Sequence, residues 1–405
     1  MPDALTTPPL YEHCILFATA DWDDPYWTNK QHCAKSLAEM GVMVLYVESV
    51  GLRSPKAGSS RDWKRLWNRL GKGMHSFFRG AIERAPGIYV LSPLVIPAAH
   101  RRPLLTWINR YLLRWAIKRS TFGRGFKAPL IWTYHPFMLD EIEGMKNSGL
   151  LYHCVDDLAA VPGVDAQAFR AAEAQLIKRA DIVFVTATTL LDMCRNHNQE
   201  THYLPNVVDA EHFGRAFQDA PLPADLVEIP EPRLVYHGVL SDFKIDFELL
   251  LACAHRRPAW QWVLIGEERE GQRSDLVAEL AALPNVHCLG YRAYKILPDY
   301  LRGMQVGLLP TRLNDYTRGM FPMKYFEYLA AGLPVVSTRL PFTESILQGL
   351  AVGDDPDAFA RAIEAQLKSG RLTVQQSREY VGENTWQCRT RKMLETVIAR
   401  RKNLQ

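Results

Sequence analysis

Short apolar runs alternate with longer amphipathic stretches along most of the sequence, and this alternation constrains the fold more than any other feature. Such runs are typical of strands in a parallel sheet, and the stretches between them have the residue spacing of helices that cover the sheet. In the first half, the pattern predicts strands at His13–Thr19, Val42–Val47, Ile88–Leu91, Leu130–Thr133, Leu150–Val155, Ile182–Val185 and His202–Leu204. Helices are predicted from about Thr28 to Met40 and from about Asp165 to Arg179.

A proline-rich segment interrupts the alternation near the middle of the chain, at Pro221, Pro223, Pro230 and Pro232. The pattern then restarts, with strands predicted at Leu234–His237, Trp262–Ile265, Val286–Leu289, Val306–Leu309 and Val335–Ser337. Because 405 residues exceed one typical hydrophobic core, two domains are expected. We predict an N-terminal domain over 1–208, a C-terminal domain over 209–385, and a C-terminal helix over 386–405 that packs back on the N-terminal domain. Ligands of such α/β domains bind at the carboxyl ends of the strands, here in a cleft between the domains.

The positive charge of the chain is concentrated in the N-terminal half. Between Arg53 and Lys127 the sequence has 17 basic residues and only two acidic ones, although the formal net charge of the whole chain is +4. Two amphipathic helices are predicted there, with membrane-facing residues at Arg65, Trp67, Arg69, Arg114, Trp115 and Lys118. Basic helices that carry tryptophan suit an anionic membrane surface, although most amphipathic helices pack their apolar side on their own sheet. No nucleic-acid-binding module accompanies the charge, so we do not expect nucleic acid as a partner.

The cysteine pattern favours a reducing compartment. The seven cysteines are odd in number and form no C-x-x-C, so reduced, buried thiols in a cytosolic protein are expected. No signal peptide and no apolar run long enough to span a bilayer is evident.

The segment Phe321–Ser337 carries the strongest functional signal, and it predicts a loop, a short helix, a Gly-Leu-Pro turn and a buried strand. Lys324 and Glu327 are three residues apart and therefore share one face of the helix. The helix N-terminus offers free N–H groups to an anion, Lys324 can neutralise phosphate, and Glu327 can accept hydrogen bonds from sugar hydroxyls. The alternative is an ordinary helix–turn–strand connection.

A second signal lies in Leu150–Leu158, where an apolar strand delivers Asp156 and Asp157 at its carboxyl end. A general base has to lie at such a strand end to reach a substrate. The alternative is that Asp157 caps the following helix and that Asp156 only ends the strand. His135 follows another predicted strand and is a candidate contact of the acceptor or of a phosphate.

The segment Leu234–Lys244 opens the second domain as a strand followed by a glycine turn at Gly238, which would let a phosphate approach the backbone. This segment, the Phe321–Ser337 string and the Leu150–Leu158 string together resemble GT-B glycosyltransferases, including family 4-like polysaccharide enzymes and xanthan-type glucuronosyltransferases. The resemblance implies two Rossmann-like domains and a UDP- or GDP-linked sugar as co-substrate, with no other cofactor and no metal. It implies donor binding by Gly238, Lys244, Tyr291, Arg292, Met323, Lys324 and Glu327, and it makes Asp156 the catalytic base.

One departure from the family pattern bears on stereochemistry. Many retaining GT-B enzymes have an acidic residue eight positions before the glutamate that matches Glu327, and this chain has Gly319 there. The difference favours an inverting enzyme and leaves a retaining transferase, a GT-B sugar-nucleotide epimerase and a non-catalytic glycan-assembly partner as alternatives. The resemblance further implies a polyprenyl-diphosphate-linked saccharide acceptor for surface or exopolysaccharide synthesis, and a cytoplasmic protein peripherally bound to the inner face of the plasma membrane.

Overall fold

The computed structural model describes residues 11–49, 76, 79–94, 103–268, 274–345 and 348–402. The chain forms two compact units, each with its own sheet. Unit 1 comprises 1–186, 190–204 and 390–405, and unit 2 comprises 187–189 and 205–389. The unit boundaries after 204 and after 389 each lie four residues from the divisions predicted after 208 and after 385.

Unit 1 is built on an eight-stranded sheet of order β3-β4-β2-β1-β5-β6-β7-β8. Its strands are β1 His13–Phe17, β2 Met43–Val47, β3 Ile82–Ala85, β4 Ile88–Leu91, β5 Leu130–Thr133, β6 Gly149–Cys154, β7 Ile182–Val185 and β8 Thr201–Tyr203. Its helices are α1 Asn29–Glu39, α2 Pro103–Thr121, α3 Leu139–Ile142, α4 Ala166–Arg179 and α5 Thr188–Arg195, of which α5 begins in unit 2. All neighbouring strands are parallel except β3 and β4.

Unit 2 has a six-stranded, fully parallel sheet of order β11-β10-β9-β12-β13-β14. Its strands are β9 Arg233–His237, β10 Gln261–Ile265, β11 Val286–Cys288, β12 Val306–Leu309, β13 Val335–Ser337 and β14 Leu350–Val352. Its helices are α6 Ala210–Gly214, α7 Ala224–Val227, α8 Phe247–Arg256, α9 Asp275–Ala281, α10 Leu297–Leu301, α11 Asp315–Arg318, α12 Met323–Ala330, α13 Pro356–Ser369 and α14 Val374–Val381. A final helix, α15 Trp386–Lys402, begins in unit 2 and ends in unit 1.

The strand order predicts a ligand-binding edge in each unit. In unit 1 the order reverses between β1 and β5, and in unit 2 it reverses between β9 and β12. Doubly wound sheets bind ligands at the carboxyl ends of the strands beside such a reversal. The predicted doubly wound α/β fold is therefore confirmed in both units.

Burial explains why the apolar runs form strands. Strands β5, β7, β9, β10 and β12 are buried along their whole length, as expected for parallel strands covered by helices on both faces. The core of unit 2 accordingly has two hydrophobic clusters, one centred on Tyr328, Leu329 and Phe213 and the other on Trp262, Phe247 and Phe359. The predicted helix start at Asp165 is confirmed as an N-cap, because its side chain accepts a hydrogen bond from the Ala168 N–H at 3.1 Å.

The cysteines are all free thiols. Five of them are buried, at Cys14, Cys33, Cys154, Cys194 and Cys253. Cys288 and Cys388 are exposed, so the expectation of buried thiols is wrong for these two. Among the residues that the structure describes, no helix is long and apolar enough to cross a membrane.

Candidate active site

In unit 2, the side chain of Lys324 lies directly against the main chain of Gly238. Gly238 follows β9 and has φ +121°, and a Cβ atom added there would lie 2.7 Å from Lys324 Cε and 2.9 Å from its Nζ. The same ammonium group is 5.4 Å from the centre of the Tyr236 ring. The structure thus brings together two residues that the sequence predicts for donor binding. Only glycine leaves space for this lysine at the end of β9.

Lys324 and Glu327 lie on α12, and burial shifts the pKa of both. Burial lowers the pKa of the Lys324 ammonium below its usual range, while the nearby Glu327 raises it. Burial raises the pKa of Glu327 to about 7, and Lys324 opposes that shift. An arriving diphosphate would favour the charged lysine, since an opposite charge at short range stabilises the ionised form.

His237 is part of the same cluster and was not predicted from the sequence. Its Nε2 approaches Glu327 Oε2 to 3.4 Å, and both side chains are buried. Burial, together with the charge of Lys324, holds the pKa of His237 well below its usual range. The imidazole is therefore neutral near pH 7.

The packing of Tyr328 fixes α12 over the sheet. The Tyr328 hydroxyl accepts a hydrogen bond from the His237 N–H and donates one to the Val235 carbonyl, both at 3.2 Å. Its ring fills the space above Gly307, where an added Cβ atom would lie 2.4 Å from Tyr328 Cγ.

The helix α12 starts directly after Pro322, whose side chain makes no capping hydrogen bond. Its N-terminal N–H groups and Met323 therefore lie beside Lys324, ready for an anion.

A second glycine at this edge, Gly266, was also missed. It follows β10 and has φ +155°, and a Cβ atom there would lie 1.8 Å from the Gly238 carbonyl oxygen. The two chain segments that leave β9 and β10 are therefore in contact through their backbones. The sequence signal that would have found Gly266 is a glycine directly after a buried apolar strand, as at Gly238.

The remaining predicted donor residues occupy two loops of unit 2. The Lys244 ammonium lies 5.0 Å from the centre of the Tyr316 ring, and Lys244 is half-buried. The Arg292 guanidinium donates to Tyr300 Oη and pairs with Asp225, both at 2.6 Å, and also donates to the Tyr291 carbonyl at 3.1 Å. Asp225 and Tyr300 thus hold Arg292 in place. A role of Tyr291 or Arg292 at the nucleotide base stays a prediction.

In unit 1, Asp156 lies two residues beyond β6, at the carboxyl edge of the sheet. The Asp156 carbonyl accepts a hydrogen bond from the Leu158 N–H at 3.0 Å, and Thr186 Oγ1 donates to the Val155 carbonyl at 2.7 Å. These bonds fix the backbone on either side of the carboxylate. The position is one from which a general base can act.

Asp157 has a structural partner. Its carboxylate pairs with Arg170, and the expected helix-capping hydrogen bond of its side chain is not formed, because the arginine takes the carboxylate instead. Arg170 also pairs with Glu173 at 3.2 Å, and Glu173 accepts a hydrogen bond from Tyr152 Oη at 2.7 Å. Burial raises the pKa of Glu173 above its usual range, while Tyr152 and Arg170 oppose the shift. This network of side chains connects α4 to β6 and to the segment that carries Asp156.

His135 lies at the same edge as Asp156, because it follows β5, the parallel neighbour of β6. It is buried, and its N–H donates to Thr133 Oγ1 at 3.0 Å. Lys30, which was not predicted, is also buried at this edge, with its ammonium 5.5 Å from the centre of the Tyr134 ring. The sequence signal that would have indicated Lys30 is the polar run Asn29–His32 at the start of a helix that follows a strand.

The predicted membrane-facing residues divide into two groups. Arg65, Trp67 and Arg69 lie outside the described residues. Arg114, Trp115 and Lys118 lie on α2, where Lys118 is exposed and Trp115 is half-buried beside Arg119. Among the described residues of α2 and the residue that follows it, the exposed large apolar side chains are Leu104, Trp107, Tyr111 and Phe122.

Residues 231–369 match the family model described as Glycosyl transferases group 1. This segment is therefore similar to glycosyltransferase group 1 domains. It contains β9, the Gly238 turn, Lys324 and Glu327, so the cluster predicted to bind the donor lies within the matched residues.

A curated protein of Bacillus subtilis (strain 168), named as a candidate teichuronic acid biosynthesis glycosyltransferase, TuaH, is similar to this chain. The two are 29% identical over 235 residues, which cover 56% of this chain. The alignment spans 58% of the length of that relative.

Solved structures resemble the chain along nearly its whole length. A sucrose-phosphate synthase from Thermosynechococcus elongatus has a TM-score of 0.68 and 18% identity, over 97% of this chain and 99% of that one. Anabaena HepE in complex with UDP has a TM-score of 0.57 and 15% identity, over 97% of this chain and 98% of that one. At these identities the likeness concerns the fold, and it confirms the GT-B fold predicted from the sequence.

Proposed function

We propose that this protein is a glycosyltransferase that moves a sugar from a UDP- or GDP-linked donor to a saccharide acceptor in surface polysaccharide biosynthesis. The observation that carries the proposal is the contact of Lys324 with Gly238 beside Glu327, inside the group 1 domain. A lysine against a glycine turn, next to a helix N-terminus, can hold a diphosphate. The UDP bound by Anabaena HepE and the name of the Bacillus relative support this proposal.

Donor binding is assigned to unit 2. The diphosphate is placed on Lys324, Lys244, the Gly238 backbone and the N-terminus of α12, which begins at Met323. Glu327 accepts hydrogen bonds from the hydroxyls of the donor sugar. As the bond between the anomeric carbon and the diphosphate breaks, these cationic groups offset the charge that develops on the leaving group without a metal ion. Tyr291 and Arg292 are assigned to the nucleotide base.

The acceptor is assigned to unit 1, with Asp156 as the general base. Its carboxylate takes the proton of the acceptor hydroxyl while the acceptor oxygen attacks the anomeric carbon of the donor. The bond to the diphosphate breaks on the opposite side of the sugar ring, so the configuration inverts. Gly319 in place of an acidic residue supports this stereochemistry, and His135 is assigned to the acceptor or to a phosphate.

The test of function and stereochemistry uses the full-length protein with a panel of UDP- and GDP-sugars. Transfer or slow release of the sugar supports a transferase, an epimerised nucleotide sugar supports an epimerase, and the absence of donor binding supports a non-catalytic partner. NMR assignment of the anomeric configuration of the product distinguishes inversion from retention. Retention would contradict Asp156 as the base.

Asp156→Asn is expected to lower turnover by about 10²–10⁴, which is the usual contribution of a general base, with donor affinity nearly unchanged. Asp157→Asn is the matched control one residue away. Asp157 pairs with Arg170, so its loss should act mainly on stability and change turnover much less. Equal effects of the two substitutions on turnover would remove Asp156 from the catalytic role.

We further propose that the acceptor is a polyprenyl-diphosphate-linked saccharide and that the protein is cytoplasmic and binds the inner face of the plasma membrane peripherally. The support is the excess of basic residues between Arg53 and Lys127, and the exposed aromatic side chains of α2. Binding to anionic vesicles should weaken as salt rises, because salt screens exposed charges. Equal partitioning onto neutral and anionic vesicles would contradict this part of the proposal.

A further inference from the structure

A cavity of about 380 Å³ lies within unit 1, beside α2. Its lining comprises Ile15, Arg114, Ile117, Lys118, Thr121, Phe126, Lys127, Pro129, Gly144, Met145 and Lys146. Four of these side chains are basic and none is acidic. A concave surface with this composition selects for anions.

The cavity is separate from the candidate active site of unit 1. Pro129 directly precedes β5, and Lys146 lies shortly before β6, so this part of the lining belongs to the amino edge of the sheet. Asp156 and His135 follow the same two strands at the carboxyl edge. The basic residues of the cavity therefore have no place in the proposed sugar transfer.

Two of the acidic residues near the cavity pair with arginines that do not line it. Asp140 pairs with Arg110 at 3.6 Å, and Glu143 pairs with Arg179 at 3.1 Å. Arg114 is held in the wall by main-chain acceptors, since its Nε donates to the Glu141 carbonyl at 3.0 Å. The buried Glu141 carboxyl lies near this guanidinium; burial raises the pKa of Glu141 to about 7, and the charges of Arg110 and Arg114 oppose that shift.

The three lysines of the cavity are exposed at its mouth. Lys118, Lys127 and Lys146 are all exposed, and their ammonium groups form no ion pair or hydrogen bond with the part of the chain that the structure describes. Together with Arg114 they form a cationic site in which the three lysine charges have no acidic partner among the described residues. Burial of an anion between them would therefore be favourable.

Exposed aromatic residues adjoin this cationic site on α2. Trp107 and Tyr111 stack at 6.3 Å between ring centres and are each 63% exposed, while Phe122, just beyond the helix end, is 84% exposed. Tyr111 and Lys118 are seven residues apart on α2 and share one face of the helix, and the Phe122 N–H donates to the Lys118 carbonyl just beyond the helix end, so the exposed aromatic residues adjoin the cavity at Lys118. Exposed aromatic groups beside cations fit the boundary between lipid headgroups and acyl chains. A small soluble anion would leave these aromatic residues without a partner.

We propose that the cavity binds the phosphate group of an anionic phospholipid while Trp107, Tyr111 and Phe122 insert at the level of the headgroups. The inference rests on the proposed membrane association and names its ligand, and it is independent of the sugar transfer. The basic side chains surround the phosphate, and the apolar wall at Ile117 and Met145 contacts the glycerol backbone of the lipid.

The test measures sedimentation of the full-length protein with vesicles of phosphatidylcholine alone or mixed in equal parts with phosphatidylglycerol. Lys127→Ala/Lys146→Ala removes two lysines of the cavity that lie outside α2. Lys178→Ala/Arg195→Ala is the matched control, since it removes the same charge from exposed residues of unit 1 outside the cavity. Circular dichroism and thermal unfolding check that all variants are folded.

We expect the cavity pair to lose about tenfold or more in partitioning onto anionic vesicles, and the control pair to lose less than about twofold. Trp107→Ala/Tyr111→Ala should also weaken this binding. Equal losses for the two charge pairs would show diffuse attraction in place of a site, and no loss for the cavity pair would overturn the proposal.

Calorimetry with sn-glycerol 3-phosphate tests whether the cavity binds a soluble phosphate ester in place of a lipid. Binding of this soluble headgroup by the wild type, combined with unchanged vesicle binding by Lys127→Ala/Lys146→Ala, would assign the cavity to a free phosphate ester and overturn the lipid assignment. Sugar transfer to a soluble acceptor should be unchanged in this variant. A protein that binds vesicles as expected but transfers no sugar would contradict the proposed reaction only.

Discussion

At the scale of single residues, Lys324 is the group whose loss should affect the donor most. Lys324→Ala is expected to weaken nucleotide-sugar binding by roughly 1.5–3 kcal/mol, the usual value of a hydrogen bond to a charged group. The reason is the position of its ammonium group against Gly238. Calorimetry of the full-length protein gives the affinity, with Lys295→Ala, an exposed lysine of unit 2, as the control. Donor affinity that stays equal in both variants would remove Lys324 from the site.

Glu327 makes stability depend on pH. Burial raises its pKa to about 7 in the folded protein, while in the unfolded chain the carboxyl has its ordinary pKa of 4.5. Between these values the folded state holds a proton that the unfolded state has released, so the contribution of Glu327 to stability is present at low pH. It is lost as pH rises, by about 1.4 kcal/mol per pH unit at most in that interval.

Urea unfolding at pH 5 and pH 8 therefore checks the environment of Glu327. The wild type should lose more free energy of unfolding over this interval than Glu327→Gln does. Comparing the two proteins distinguishes the contribution of Glu327 from that of His237. Because the pKa of His237 is lowered, its contribution to the free energy of unfolding changes with pH in the opposite direction over part of the same range. An equal pH dependence in both proteins would mean that the Glu327 carboxyl ionises as freely as in water.

The sequence indicates candidate site residues where their signal is local. Lys324 and Glu327 share one short helix, and Asp156 ends an apolar strand, so neighbouring residues give their context. His237 and Lys30 were missed because their partners are distant in the sequence. His237 meets Glu327 only when α12 packs over the end of β9, and Lys30 meets Tyr134 across the sheet. Such pairs follow from packing, which a single sequence does not reveal.

At the scale of elements, buried strands were predicted to within one or two residues, while two edge strands were missed. β3 and β14 lie at the ends of the two sheets. β3 has the sequence Ile-Glu-Arg-Ala and is largely exposed, and β14 is only partly buried. A search for apolar runs detects strands covered on both faces, and an edge strand with one exposed side does not have such a run.

The contact between the loops after β9 and β10 should be sensitive to a single methyl group. Gly266→Ala places a Cβ atom where the Gly238 carbonyl oxygen already lies, at a positive φ that alone costs about 1–3 kcal/mol. Gly290→Ala is the matched control, because Gly290 also has a positive φ but no atom within 4 Å of its Cβ position. Thermal and urea unfolding should show a much larger loss of stability for Gly266→Ala. Equal losses would mean that the two loops can separate without cost.

At the scale of the whole molecule, the proposed reaction divides between the two units. The candidate base Asp156 and the cationic cavity lie in unit 1, while Lys324, Glu327 and His237 lie in unit 2. Both hydrophobic clusters of unit 2 draw their buried residues from Val208 to Val381. Unit 2 therefore has a complete core of its own and should fold without unit 1.

A fragment of 205–389 is accordingly expected to unfold cooperatively and to bind the nucleotide sugar about as well as the full-length protein, but to transfer no sugar. Its affinity should be close to that of the whole chain because every assigned donor contact lies between Gly238 and Glu327. The same fragment with Lys324→Ala serves as the control and should lose binding as the full-length variant does. Circular dichroism establishes folding, and calorimetry measures the donor. If the folded fragment fails to bind the nucleotide sugar that the whole protein binds, residues of unit 1 must contribute to the donor site, and the assignment of the donor to unit 2 alone is wrong.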